Sequence, residues 1–250
     1  YQDFIKKNQL YTGEEVLPFI GESEYYRYLV PMLLKMNPEV RAVFDSDVQY
    51  AAVDLMIAEN LDMRKIDFIS EHITDTANGA AIIPINTAII KSDTTTKTVV
   101  HELIHLTLQK EYNKKGEFFD SINALYNIAD KYASDNLLED YGFYSSVEFL
   151  AEALSNPEFM QKLNEIPYKE ETVFSYLMRL VSDFINELLG VELNSGSVLA
   201  EVINLSEQVL QKNVSEISKN TPVELSSMGQ EIITNFESYF PDYGWMNDAQ

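Results

Sequence analysis

Apolar residues recur along this chain with two different periods, and the changes of period mark out its elements. They fall at Val40, Val43, Phe44, Val48, Ala51, Ala52, Leu55 and Met56, the three-and-four spacing of a helix with one buried face. Asn37-Pro38-Glu39 places a cap, a first-turn proline and an acidic residue ahead of that stripe. The pattern therefore predicts a helix ending near Asn60. Lys65–Ser70, KIDFIS, alternates apolar and polar residues instead, as a half-buried strand does. Thr74–Gly79, TDTANG, is turn chemistry, and Ala81–Ile90 is β-branched and interrupted by Pro84. A proline there predicts a hairpin, a bulge or an edge strand. The tyrosine-rich stretch 1–35 is broken by Gly13, Pro18, Gly21 and Pro31 and reads as short helices and loops.

Beyond Lys91 the period becomes helical. Ser92–Lys97, SDTTTK, offers N-caps to a helix predicted from Thr95 to Tyr112. Val99, Val100, Leu103, Ile104, Leu106 and Leu108 make that helix apolar nearly all round, so it is expected to be buried. Further helices are predicted near 117–136, 146–155, 157–164, 170–189 and 196–216, and Pro241 with Gly244 stops any helix short of the C-terminus. Asn156-Pro157 is an ordinary helix start, and Phe118, Phe119, Leu125, Ile128 and Leu137 read as core. A few strands, then one buried helix, then mostly helices define an α+β chain.

Composition narrows the function. Of 250 residues, 46% are hydrophobic and 23% charged, enough for a sizeable core. Forty acidic against 18 basic side chains give a formal charge of −22. Such a surface repels phosphate backbones and anionic bilayers, so neither nucleic acid nor membrane is an expected partner. No apolar run approaches a membrane span. With no cysteine, disulfides, thiolate metal sites and a cysteine nucleophile are excluded. The chain starts at Tyr1, which suits a fragment or a processed product. Gly-rich phosphate loops, a G-x-S-x-G elbow and a dinucleotide fingerprint are missing. Acidic residues between Asp130 and Asp140 lack the spacing of a calcium loop.

The chemistry concentrates in His101-Glu102-Leu103-Ile104-His105. On a helix His105 lies about 40° round from His101 and one turn along, so both imidazoles can reach one ion about 2 Å from each ring nitrogen. Glu102 sits to the side of that seam, placed to take a proton from a metal-bound water. Two imidazoles on a buried helix need partners, and a metal supplies them. A catalytic zinc site takes three protein ligands. His72 is the only other histidine and reads better as a strand-end residue than as the third. Ser145–Phe159, SSVEFLAEALSNPEF, offers Glu148 and Glu152 on one helical face. One could bind the ion while the other accepts the free N–H of a ligating histidine. Glu148 also completes the capping-box pattern Ser145-Ser146-Val147-Glu148. Spacing alone leaves Glu148, Glu152 and Glu139 open as the third ligand.

HELIH followed by YGFYSSVEFLAEALSNPEF resembles the gluzincin zinc metallopeptidases, in particular the catalytic domain of anthrax lethal factor and the metallopeptidase domains of large phage polyvalent proteins. The similarity extends to AIIPINTAIIKSD and EALSNPEF and covers about Gly79 to Gly190. It implies a zincin-like fold, with a small mixed sheet packed on the HELIH helix and a mostly helical C-terminal half. It implies one Zn2+ held by His101, His105 and Glu148, a base at Glu102, an oxyanion donor at Tyr141, and Glu152 supporting a ligating histidine. The strand before the helix would border the cleft and pair with an extended peptide. On this reading residues 1–65 form a helical N-terminal segment, 66–190 a zincin-like metallopeptidase domain and 191–250 a helical C-terminal extension. The implied activity is a zinc-dependent endopeptidase acting on a protein or peptide substrate. Its rival is a virion structural or cargo protein whose zincin domain binds zinc without physiological proteolysis, part of a larger polypeptide or virus particle. Virion association with delivery to a host cytoplasm and secretion both fit.

Overall fold

The computed structural model describes residues 9–21, 23–74, 76–109, 114 and 116–189. The fold is mixed α+β: a small sheet and a largely helical remainder. Strand β1 (Leu10–Thr12) leads into a short helix α1 (Gly13–Val16) closed by a reciprocal Thr12–Glu15 capping box. Helix α2 (Glu24–Met36) follows, capped by Ser23. Stretch 1–35 was expected to break at Pro31, yet α2 runs through it, and Pro31 is buried inside the helix. Packing of Tyr25, Tyr26, Leu29, Val30, Met32 and Leu33 outweighs the one backbone bond the proline forgoes.

The single helix predicted from Pro38 to Asn60 is instead strand β2 (Arg41–Asp45) and helix α3 (Val48–Ala58). Asp47 separates them, its side chain accepting from the Tyr50 backbone N–H at 2.9 Å. The strand predicted at Lys65–Ser70 is a helix, α4 (Met63–His72), capped by Asp62. Its apolar positions Ile66, Ile69 and Ile73 follow helical spacing and face the core. The hairpin around Pro84 is present: β3 (Gly79–Ile82), a 3-10 turn at Ile83–Ile85, left-handed Asn86, and β4 (Thr87–Lys91).

The strands order β1-β2-β4-β3, with β2 and β4 parallel and the outer pairs antiparallel. β1 and β2 precede residue 65 and β3 and β4 follow it, so the sheet draws on both sides of that position. Register puts Ala42, Ala88, Ala81 and Gly79 on one face. These small residues let the next helix, α5 (Thr96–Ile104), lie close. The other face carries Val43, Ile89 and Ile82, covered by α3 and α4.

Helix α5 continues as a π-helical turn over His105–Gln109 rather than as regular α-helix. Within it the Leu106 carbonyl accepts from Asn37 Nδ2 at 3.0 Å, and Asn37 also pairs with Asn86 at the hairpin tip. All six apolar residues expected to bury this helix are buried. The helices that follow lie close to expectation: α6 (Glu117–Asp135), α7 (Ser146–Ser155), α8 (Pro157–Glu165) and α9 (Val173–Leu189). A two-stranded hairpin, β5 (Pro167–Tyr168) and β6 (Glu171–Thr172), precedes α9 where helix was expected from 170. Of the residues assigned to core, Leu125 is buried, whereas Ile128 is 38% and Leu137 89% exposed. Residues 191–250, including the helix expected near 196–216, lie outside the described residues. Among the described residues no helix is long and apolar enough to cross a membrane.

Candidate metal centre

Helices α5 and α7 pack against each other, and their facing side chains build the site. His101 Nε2 and His105 Nε2 stand 2.9 Å apart. Glu148 Oε2, from the first turn of α7, lies 3.2 Å from the former and 3.3 Å from the latter. Donors about 2.0 Å from a tetrahedral ion are about 3.3 Å from one another. The three atoms thus form a triangle of the size such an ion spans. Two imidazoles and a carboxylate are a donor set suited to zinc and similar divalent ions. Among the described residues His101, His105 and Glu148 form a group that could hold a metal ion.

Only half of the capping box forms: Ser145 Oγ accepts the Glu148 backbone N–H at 3.2 Å. The Glu148 carboxylate turns to the imidazoles instead of back to the helix start. Glu152, one turn on, is buried and turns to the other ring nitrogen, with Oε1 3.1 Å from His101 Nδ1. Its second oxygen meets Lys97 Nζ at 3.2 Å and accepts from Asn156 Nδ2 at 2.5 Å. An N–H on Nδ1 facing Glu152 would leave the Nε2 lone pair free for an ion. Glu139 is exposed and sits apart from the cluster, its carbonyl accepting from Lys162. The His72 side chain lies outside the described residues.

The electrostatics follow from burial and pairing. Burial disfavours a charged His101, but hydrogen bonds to Glu148 and Glu152 and the charge of Glu102 outweigh it, raising its pKa to about 10. Burial likewise opposes charge on both partners. The imidazoles nonetheless hold Glu148 well below the usual carboxylate range, and His101, Lys97 and Asn156 bring Glu152 to about 2. Without a metal, a proton on His101 balances these carboxylates.

Glu102 is 6% exposed. Burial pushes its pKa up, against the opposing pull of His101 and His105. A carboxylate in this state holds a proton more readily than an exposed one. It lies in the wall of an open cleft of about 790 Å³ that strand β3, His101, His105, Glu148 and Tyr141 also line.

Tyr141 stands on a 3-10 turn, Tyr141–Phe143, between α6 and α7. Asp140 caps that turn through the Gly142 N–H at 3.1 Å and is itself held by Lys162 at 2.6 Å. Gly142 lies against the Phe159 ring, too close for any side chain. The Tyr141 ring is 6.3 Å from that of His101, and the residue is 58% exposed. Its hydroxyl pKa is raised by burial and by the charges of Glu148 and Glu102. The phenol therefore stays protonated as a donor beside the donor triangle.

All six candidates (His101, Glu102, His105, Tyr141, Glu148 and Glu152) line one cleft. Four contributors were not foreseen: Lys97, Ser155, Asn156 and Gly79. Asn156 had been read as a cap. It caps α8 through Oδ1 at 3.1 Å while its Nδ2 serves Glu152. Ser155 Oγ lies 3.4 Å from His101 Nδ1. Lys97 carried only the signal of being one turn before His101. Comparison with protein-family models, curated proteins and solved structures yields no match to this chain.

Proposed function

We infer that this chain is a zinc-dependent endopeptidase of gluzincin type, with His101, His105 and Glu148 as the zinc ligands. The observation that carries the reading is the donor triangle with a buried glutamate beside it in an open cleft. Zinc, when bound, supplies Lewis acidity that lowers the pKa of water to about 7 and polarises a carbonyl. Glu102 takes the proton from the attacking water and returns it to the leaving amine. Its buried position favours holding that proton between the two steps. Tyr141 donates its O–H to the oxyanion that develops on the scissile carbonyl. Glu152 fixes the His101 tautomer, and Lys97 and Asn156 hold Glu152. β3 is the terminal strand of the sheet among the described residues, and its outer edge is where an extended peptide would lie across the cleft, its carbonyl turned toward the donor triangle.

The test is zinc stoichiometry together with cleavage of a peptide library. Wild type should bind one equivalent and cleave. Glu102→Gln should keep the metal and lose about 100- to 10,000-fold in kcat. Glu148→Ala should retain less than about half an equivalent under conditions that saturate wild type. Loss of zinc from Glu152→Ala but not Glu148→Ala would exchange the two assignments. Stoichiometric zinc without cleavage of any peptide would leave a binding domain and end the peptidase reading.

A further inference from the structure

Strand β3 opens at Gly79, which pairs with Ile90 on β4 and so faces α5. A Cβ at this position would stand 2.6 Å from Glu102 Oε1, 2.8 Å from its Cγ and 2.9 Å from its Cδ. Nonbonded heavy atoms do not approach so closely, and the contact reaches past the carboxylate to Cγ, a methylene of the stem. Glu102 can retreat only toward the cleft it lines, because its neighbours Val100, Leu103 and Ile104 are locked in the core. Backbone conformation does not call for glycine here: Gly21 alone among the described glycines has positive φ. Residue 79 must be small for reasons of space, and the space is filled by one carboxylate.

We propose that Gly79 is a positioning residue for Glu102, its missing side chain forming the slot that seats the base in the cleft wall. This rests on the peptidase reading for its catalytic consequence, though the contact itself does not. A strand glycine commonly marks such a close approach. The neighbouring positions have other surroundings. Ala81 follows on the same face, while Ala80 turns to the opposite core. Any side chain at 79 rotates Glu102 out of its place while leaving His101, His105 and Glu148 untouched.

The experiment is a double-variant cycle on the full chain, read by thermal melting and turnover. Gly79→Ala should lower the melting temperature by about 4 °C or more in the wild-type background. In the Glu102→Ala background, where the obstructing atoms are gone, it should lower it by less than about 1 °C. Gly79→Ala should keep wild-type zinc stoichiometry. Its kcat should fall about 100-fold with KM within about twofold, the signature of a displaced catalytic group. Adding Glu102→Asp, one methylene shorter, should give a double variant whose loss is smaller than the product of the single losses. Equal melting losses in both backgrounds, or wild-type kcat in Gly79→Ala, would overturn the proposal. If wild type cleaves no peptide, the peptidase reading falls alone and the melting cycle decides the contact.

Discussion

The two sides of the sheet hold different kinds of interior. Helices α3 and α4 cover Val43, Ile82 and Ile89 with Val48, Ala51, Leu55, Met56 and Ile66, an apolar cluster. On the α5 side lie the buried acidic and basic residues among those described: Lys35, His101, Glu102, His105 and Glu152. Burying a charge is costly unless it is matched. The α5 side meets that requirement by placing His101 between Glu148 and Glu152. One side of the sheet is thus packed with apolar side chains, and the other gives up dry packing to hold an ionisable cluster.

The largest expected effect on this contrast comes from the apolar side. Leu55, fully buried, contributes packing and nothing else, so Leu55→Ala should cost about 2–5 kcal/mol in denaturant unfolding. Zinc stoichiometry should not change. Metal loss in that variant would mean that the two interiors are coupled. On the other side Glu152→Ala should weaken zinc binding about 10- to 100-fold, measured by competition with a chromophoric chelator. An unchanged affinity would remove Glu152 from the role of orienting His101.

The smallest and sharpest difference is in pH. His101 is raised from 6.5 to about 10 in the folded, metal-free chain. Its pairing therefore stabilises fully below about pH 6.5 and is lost as pH rises toward 10. Glu152, lowered to about 2, contributes above the ordinary carboxylate range and is lost as pH falls toward 2. The melting temperature of metal-free protein should fall between about pH 6.5 and 10, and saturating zinc should flatten that slope. A Leu55→Ala variant should keep the slope and only shift the curve downward.

The α5 side is more legible in the sequence than the apolar side. His101 and His105 had to converge once on a helix, and Glu148 and Glu152 had to share a face, because helical geometry leaves little freedom. The long second-half helices have enough turns for their period to be unambiguous. Short elements were misread. Ile66 and Phe68 fit alternation over a few residues, and the helical spacing shows only when Ile69 and Ile73 are read with Ile66. Val40 to Phe44 fit a helical stripe until Asp47 is recognised as the true cap. Gly79 was invisible because its meaning lies in a partner across the fold.

Two of the proposed ligands ride on α5 and the third on α7, so an ion held there ties together chain segments that part on unfolding. Ligand present at a thousand times its dissociation constant adds about 4 kcal/mol to the folded state. A chelator would then do more than silence the site. It would shorten the molecule's survival in the presence of proteases, making its lifetime follow the supply of that ion.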